Sequence, residues 1–355
     1  MITGVGKINS ERDYREVTLD SSSSLKDFSM DRKKYYKKYI LHETVEDKDS
    51  QATLMGRVVE TLLLEPELFE TRFYMSACAG APTGLMLEFV EALYKYTKDA
   101  TNNEGEIVRS FEDISRDAYV ESGFKIKYEA VIGKFVGSDA EIYYEEIVRV
   151  RANNLSVVTT QDVTNAEKVV NELKFNFVTK GIINLVSSVR YSVRNQCQVE
   201  GYAVGGHLFK SMIDKIIIDH ELKTVQVYDL KCVWAVENFY EEYYLYRRAF
   251  IQAYIYYRAA QEMTKPGWSN EDLSDYTVLP PKFIVCDSIN YCNPLIYTLT
   301  FGDLADALLG FSHKGRDYVG VQELIENLQW AFDNDKWNIS KENYKNNGVV
   351  NIKEW

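Results

Sequence analysis

The stretch from Gln196 to Trp234 constrains the fold more than any other. QCQVEGYAV, HLFKSMIDKIIID and TVQVYDLKCVW are short runs rich in branched and aromatic residues, separated by Gly205–Gly206 and by the polar HELK of His220 to Lys223. Such runs between turn-forming residues predict three successive antiparallel strands. A long amphipathic helix is predicted from about Val236 to Met263, stopped by Pro266 and Gly267. Two more strands, PKFIVCDS and PLIYTLT, then precede a helical C-terminus.

Upstream the pattern is helical. Residues 1 to 20 are polar, and Ser21 to Ser24 offer N-caps to the segment LKDFSMDRKKYYKKYI. Its Arg32, Lys33, Lys34, Lys37 and Lys38, interleaved with Tyr35 and Tyr36, read either as a solvated helix face or as an arm that contacts phosphates with aromatic support. A second helix is predicted from about Thr53 to Leu64, with Val58, Val59, Leu62 and Leu63 at helical spacing, Glu60 inside the apolar pattern and Pro66 at its end. From Leu85 to Arg194 the chain is charged and mostly helical, with polar breaks at Thr101 to Glu106 and at Ala152 to Asn154. The expected organisation is an N-terminal helical part over 1–84, a helical insertion over 85–195, and a sheet-bearing part with C-terminal helices over 196–355.

A chain of 355 residues, 46% hydrophobic, can bury a sizeable core. No apolar run is long enough to span a membrane, and Met1 to Ser10 lacks the cationic start and apolar core of a signal peptide, so a cytoplasmic protein with no membrane partner is expected. Five cysteines at scattered spacings suggest neither a disulfide framework nor a zinc site. The net charge of −12 argues against indiscriminate nucleic-acid binding, so any such role needs a local basic patch.

The chemistry concentrates in the strands. On a strand, positions i and i+2 share a face, so Asp229 and Lys231 point one way and Leu230 the other. Counted through the hairpin, Asp214 falls beside Asp229. Two close carboxylates repel unless a cation neutralises them, and oxygen donors favour a hard divalent ion such as Mg²⁺ or Mn²⁺. Glu60 is a candidate third ligand, and Lys231 could orient or deprotonate a water for phosphodiester hydrolysis. A D-x-K triplet is also an ordinary surface ion pair, but an acid within MIDKIII needs a partner. On the long helix Arg248, Gln252 and Tyr256 follow one another at four-residue spacing, which predicts one stripe of cation, amide and phenol, with Arg247 and Arg258 nearby. The same tyrosine-rich helix also reads as core. His207 and His220 read as structural or exposed, and Glu200, Glu237 and Asp287 as supporting groups. No HExxH, P-loop or GxSxG occurs.

Asp214, then Asp229-Leu230-Lys231, then Gln252 and Tyr256 in FIQAYIYY resemble the D, (D/E)xK and QxxxY signatures of the PD-(D/E)xK nuclease superfamily in its RecB-like branch. MGRVVETLLLEPELFE, from Met55 to Glu70, resembles the G-x-x-x-H-x-x-x-L-E-P-E segment of phage and prophage RecE-type exonucleases, relatives of lambda exonuclease, and SSSSLKDFSMDRKKYY is similar to their serine-leading first helix. The resemblance spans about Ser21 to Phe73 and Glu200 to Tyr257.

It implies an α/β fold, a central mixed β-sheet flanked by helices around a restriction-endonuclease-like core with a helical insertion, and hydrolysis of DNA with at most two divalent metals, Mg²⁺ or Mn²⁺. Carried over, Glu60, Asp214 and Asp229 would be metal ligands with the Leu230 carbonyl, Lys231 would position the water, and Gln252 and Tyr256 would contact the DNA backbone. Glu60 stands where many relatives have His. The family further implies DNA as partner, a single-strand annealing protein beside it, and a homo-oligomer. The competing expectations are an endonuclease, a CRISPR-associated RecB-type nuclease, whose four-cysteine cluster the scattered cysteines do not support, and a catalytically silent fold binding DNA or protein.

Overall fold

A computed structural model of the chain describes residue 14 and residues 17–43, 51–78, 81–102, 105–151, 155–268 and 271–350. The first ten residues and the expected break at Ala152 to Asn154 lie outside the described residues. Two compact units divide the chain, one made of Met1–Ser50 with Glu172–Trp355 and the other of Gln51–Asn171, where the sequence suggested divisions after 84 and 195.

The first unit opens on α1 (Ser22–Met30), which has Ser21 as N-cap and a reciprocal capping box with Ser24. Asp31 caps a further turn, Arg32–Tyr35, which runs into a π-helical turn, Tyr36–Ile40. The second unit is mostly helical: α2 (Gln51–Leu64), α3 (Leu85–Asp99), α4 (Phe111–Ser122), α5 (Tyr128–Phe135) and α6 (Asp139–Arg151), with a short parallel pair of β1 (Phe73–Met75) and β2 (Ser156–Val158). Phe89, Leu93, Ile114, Val131, Phe135 and Ile147 form its core. Helix α7 (Thr160–Phe175) carries the chain back to the first unit.

The sheet of the first unit holds the predicted strands: β3 (Tyr191–Val204), β4 (His207–Asp219), β5 (Thr224–Val233), β7 (Lys282–Asp287) and β8 (Leu295–Thr298), in that spatial order, with β6 (Thr277–Val278) paired to β5. Strands β3, β4 and β5 are antiparallel, β5 and β7 parallel, β7 and β8 antiparallel, so the sheet is mixed and helices flank it. Strand β3 starts before Gln196 because Tyr191 to Asn195 pair with the far end of β4 despite their polar side chains. Gly205 and Gly206 both have positive φ (57° and 83°), as a two-residue hairpin turn of matching twist requires.

The predicted helix over Val236 to Met263 is not continuous. A 3-10 turn (Val236–Asn238) leads to a π-helix (Tyr240–Tyr246), then to Arg248 at φ 56°, and only then to α8 (Ala249–Met263). Apolar periodicity cannot register the extra residue that a π-turn inserts. Phe239 stacks on Tyr243 (5.8 Å between centroids) and Tyr240 on Tyr244 (5.6 Å), so the aromatic pairs of this segment have their own packing. Beyond the break, Phe250, Ile251, Ile255, Ala259 and Met263 of α8 join Ile216, Ile218, Val225, Val227, Phe283 and Val285 of the sheet in one core. The C-terminal part adds α9 (Phe301–Leu309), a hairpin of β9 (Phe311–His313) and β10 (Arg316–Tyr318), and α10 (Val321–Asn334). Among the described residues no helix is long and apolar enough to cross a membrane.

Phe250 is fully buried and packs edge-to-face on Phe311 (5.3 Å), Tyr244 and Tyr318. Truncation there removes the wedge between α8 and the C-terminal hairpin. Phe250→Ala is expected to lower the unfolding free energy by about 3–5 kcal/mol, read from urea titration; a change below about 1 kcal/mol would show that this junction is not packed as described.

Candidate active site

The site forms where two strands part. The ladder between β4 and β5 ends at the pair Lys215 and Tyr228. One step further the Asp214 side chain replaces the backbone, its Oδ2 accepting the Leu230 N–H at 2.7 Å. Along β5, Val225, Val227, Asp229, Lys231 and Val233 alternate onto the face that packs on α8, because the apolar members of the series are core residues. The strand pattern therefore delivers a carboxylate and an amine into the edge of the core.

Asp229 is 2% exposed and Asp214 8%. The Lys231 ammonium forms an ion pair with Asp229 Oδ2, and Gln252 Nε2 donates to Asp229 Oδ1 at 2.8 Å. Oδ2 is enclosed and accepts no hydrogen bond of proper geometry, so its partner is the ion pair with Lys231. Gln252, four residues into α8, is itself buried, which its bond to Asp229 explains. Tyr256 lies one turn on. Burial first, and then the Asp214 and Asp229 carboxylates, push its hydroxyl far above the ordinary tyrosine value, so it is a protonated donor.

A second amine enters from α1. Lys26 Nζ stands 3.5 Å from Gln252 Oε1, on the opposite end of the amide from Asp229. Helix α1 is fixed for this by Asp20, which accepts from Ser24 Oγ (2.6 Å) and Tyr35 OH (2.9 Å), pairs with His207 Nε2 (2.7 Å), and takes the Lys210 N–H on its backbone carbonyl (2.7 Å). Lys26 was not legible as a site residue: it is the single lysine of α1, just ahead of the basic run from Arg32 to Lys38, and only the fold brings it to Gln252.

The structure thus brings together Asp214, Asp229, Leu230, Lys231, Gln252 and Tyr256. Arg248 does not share the stripe of Gln252 and Tyr256. It precedes α8 in a left-handed conformation, and its Nη1 donates to the Ser29 carbonyl at 2.7 Å. Arg247 lies over the Tyr243 ring, and Arg258 donates to Gln261 Oε1 at 2.7 Å. Of the basic arm, Arg32 stacks over Phe28, Lys34 lies 3.5 Å from Asp27, and Lys33 is exposed. Glu60 is on α2 of the other unit. Asp287 caps the turn after β7 through the N–H groups of Ile289 and Asn290, Glu237 is in the 3-10 turn, and Glu200 is buried opposite Lys210. His220 bridges Ser192 Oγ and the Tyr276 hydroxyl.

The donors suit a hard cation. Asp214 and Asp229 offer carboxylate oxygens only, Asp229 Oδ2 accepting no hydrogen bond, and the Leu230 carbonyl lies 3.5 Å from Lys231 Nζ. Among the described residues no three His, Cys, Asp or Glu side chains cluster as a metal site. An ion held here would retain several waters, as Mg²⁺ commonly does.

No family model matches the chain, and no curated protein matches it. Among solved structures, a proposed exonuclease from Eubacterium rectale aligns over 97% of this chain and 89% of its own, at 12% identity and a TM-score of 0.47. That likeness is too slight to bear on fold or function, and the chemistry rests on the side chains above.

Lys26 gives the site a pH signature. Burial first and the Lys231 ammonium second push its pKa down from 10.5 to about 8, against the pull of Asp229 and Asp27. In the unfolded chain the lysine keeps its proton up to its ordinary value. Between pH of about 8 and 10.5 the unfolded state therefore holds more protons, and Lys26 contributes stability that grows as pH rises. The urea midpoint of wild type relative to Lys26→Met is expected to be flat below that window and to climb through it. A constant difference would mean that Lys26 titrates as a free lysine.

Proposed function

We propose that this chain is a Mg²⁺- or Mn²⁺-dependent deoxyribonuclease, an exonuclease acting on linear duplex ends in phage-type recombination or DNA processing. The observation that supports it is the buried Asp229 carboxylate, held between Lys231 and Gln252 one strand from Asp214. A simple structural ion pair needs neither the second acid nor the buried amide. The resemblance of the same residues, in the same order, to the D, (D/E)xK and QxxxY signatures adds the reaction class.

In this reading Asp214 and Asp229 would hold the divalent ion together with the Leu230 carbonyl; Glu60, a ligand that the resemblance implies, is on α2 of the other unit and is not counted in this set. When bound, Mg²⁺ or Mn²⁺ lowers the pKa of a coordinated water and offsets charge developing on the phosphate. Lys231 would orient the attacking water and take part in moving its proton. Gln252 keeps the Asp229 carboxylate from rotating, and Tyr256, protonated, donates toward the backbone phosphate. Arg32, Lys33 and Lys34 supply positive charge for DNA in a chain of net charge −12. A single-strand annealing protein and a homo-oligomer remain the partners that the resemblance suggests.

A silent DNA- or protein-binding module is the second reading, favoured by the lack of a three-residue ligand cluster among the described residues. Nuclease assay separates the two. End-labelled linear duplex and closed circular DNA are incubated with Mg²⁺ or Mn²⁺, using wild type, Asp214→Asn, Asp229→Asn and Lys231→Ala. Release of nucleotides from linear DNA is expected, lost on chelation, and reduced by at least ~10²–10⁴-fold in each variant. Cutting of the circle would replace the exonuclease assignment with an endonuclease. Equal inertness of all four proteins with both metals would leave the silent module.

A further inference from the structure

Behind the catalytic face of β5 lies a feature that phosphodiester chemistry does not use. Cys232 follows Lys231 and therefore points to the opposite face of the sheet. In the parallel ladder of β5 and β7 it stands in register with Cys286, and the two Sγ atoms are 3.3 Å apart. Both are free thiols; Cys286 is buried and Cys232 partly exposed. The Cys286 thiol also points at the Lys231 carbonyl, at 3.6 Å.

Sheet spacing makes this pair unlike two cysteines that merely touch. Neighbouring strands lie about 4.7–4.9 Å apart, inside the ~4.4–6.8 Å range of Cα separations that disulfides span. The strand spacing thus lies within the span of a disulfide, and the two sulfurs stand 3.3 Å apart, against about 2.05 Å in the bond. The remaining cysteines lack such a placement: Cys78 is buried in the other unit with its thiol on the Asp139 carbonyl, Cys197 is buried on β3, and Cys292 is exposed in the turn after β7.

We propose that Cys232 and Cys286 are a modification site, a dithiol that a peroxide closes to an intrachain disulfide across β5 and β7. The accessible thiol reacts first: Cys232 sulfur, giving up its proton, attacks one peroxide oxygen, the O–O bond breaks, and water leaves with that proton, so Cys232 becomes a sulfenic acid. Cys286 sulfur then attacks Cys232 sulfur. The S–S bond forms, the S–O bond breaks, and hydroxide departs as water with the Cys286 proton. Two thiols and one hydrogen peroxide give one disulfide and two waters. The bridge ties the strand bearing Asp229 and Lys231 to its parallel neighbour at the residue next to the amine, and a thiol reductant reverses it.

The test requires no substrate and no metal, so its outcome is independent of the nuclease reading. Fully reduced protein is treated with hydrogen peroxide, quenched, denatured and analysed by thiol titration, intact mass and peptide mapping. The expected result is loss of two of the five thiols, a mass lower by two hydrogen atoms, a linked peptide joining Cys232 to Cys286, and full reversal by dithiothreitol. Cys286→Ser should stop the sequence at the sulfenic acid of Cys232, captured by dimedone. The wild-type peptide map decides alone if that variant fails to fold. Five thiols remaining, a bridge between two chains through Cys292, or dimedone labelling of Cys232 in the wild type without a linked peptide would each overturn the proposal.

Discussion

The candidate site depends on one buried charge, the carboxylate of Asp229. Removing an ion of that size from water costs several kcal/mol even after relaxation, and the cost is met locally by the Lys231 ammonium on one oxygen and the Gln252 amide on the other. Asp214 meets its own burial differently, by taking over a backbone hydrogen bond where β4 and β5 separate. The two acids are thus held by different means, one by charge and amide, the other by the main chain. Losing Lys231 would strand a charge, while losing Asp214 would free a strand edge.

A second layer of constraint runs through Asp20. Its carboxylate gathers Ser24, Tyr35 and His207, and its carbonyl takes the Lys210 N–H, so the start of α1, the turn that follows it and β4 meet at one residue. That clasp brings the Lys26 ammonium to Gln252. The Arg248 guanidinium secures the other end of α1 through the Ser29 carbonyl. A helix fixed at both ends lets a flexible lysine keep a defined place, at a smaller cost in side-chain entropy than a free one would incur.

How far the sequence discloses this arrangement follows from the range of the signals. The strand run from Gln196, its turns and the face shared by Asp229 and Lys231 are local consequences of alternation, and they are legible. Gln252 is legible as a misfit, a polar residue in an apolar helix, though not its partner. The extent of β3 is not, because Ser192, Arg194 and Asn195 are polar and only pairing with β4 makes them strand. Lys26 is not, because its meaning comes from an approach across 226 residues of sequence. Nor is the register of Cys232 with Cys286, which depends on a parallel crossover that no spacing encodes.

The break before α8 belongs to the same logic. Each α-helical residue turns the chain by about 100°, so a helix uninterrupted from Val236 would link the direction of Gln252 to that of the tyrosines before it. The π-turn and the left-handed Arg248 release that linkage. Tyr240 and Tyr243 stack on their own neighbours, while Gln252 turns into the sheet toward Asp229. A left-handed arginine costs on the order of 1–3 kcal/mol, and its hydrogen bond to Ser29 offsets part of that. Strain at this junction is what allows one segment to pack aromatics along its first half and aim an amide from its second.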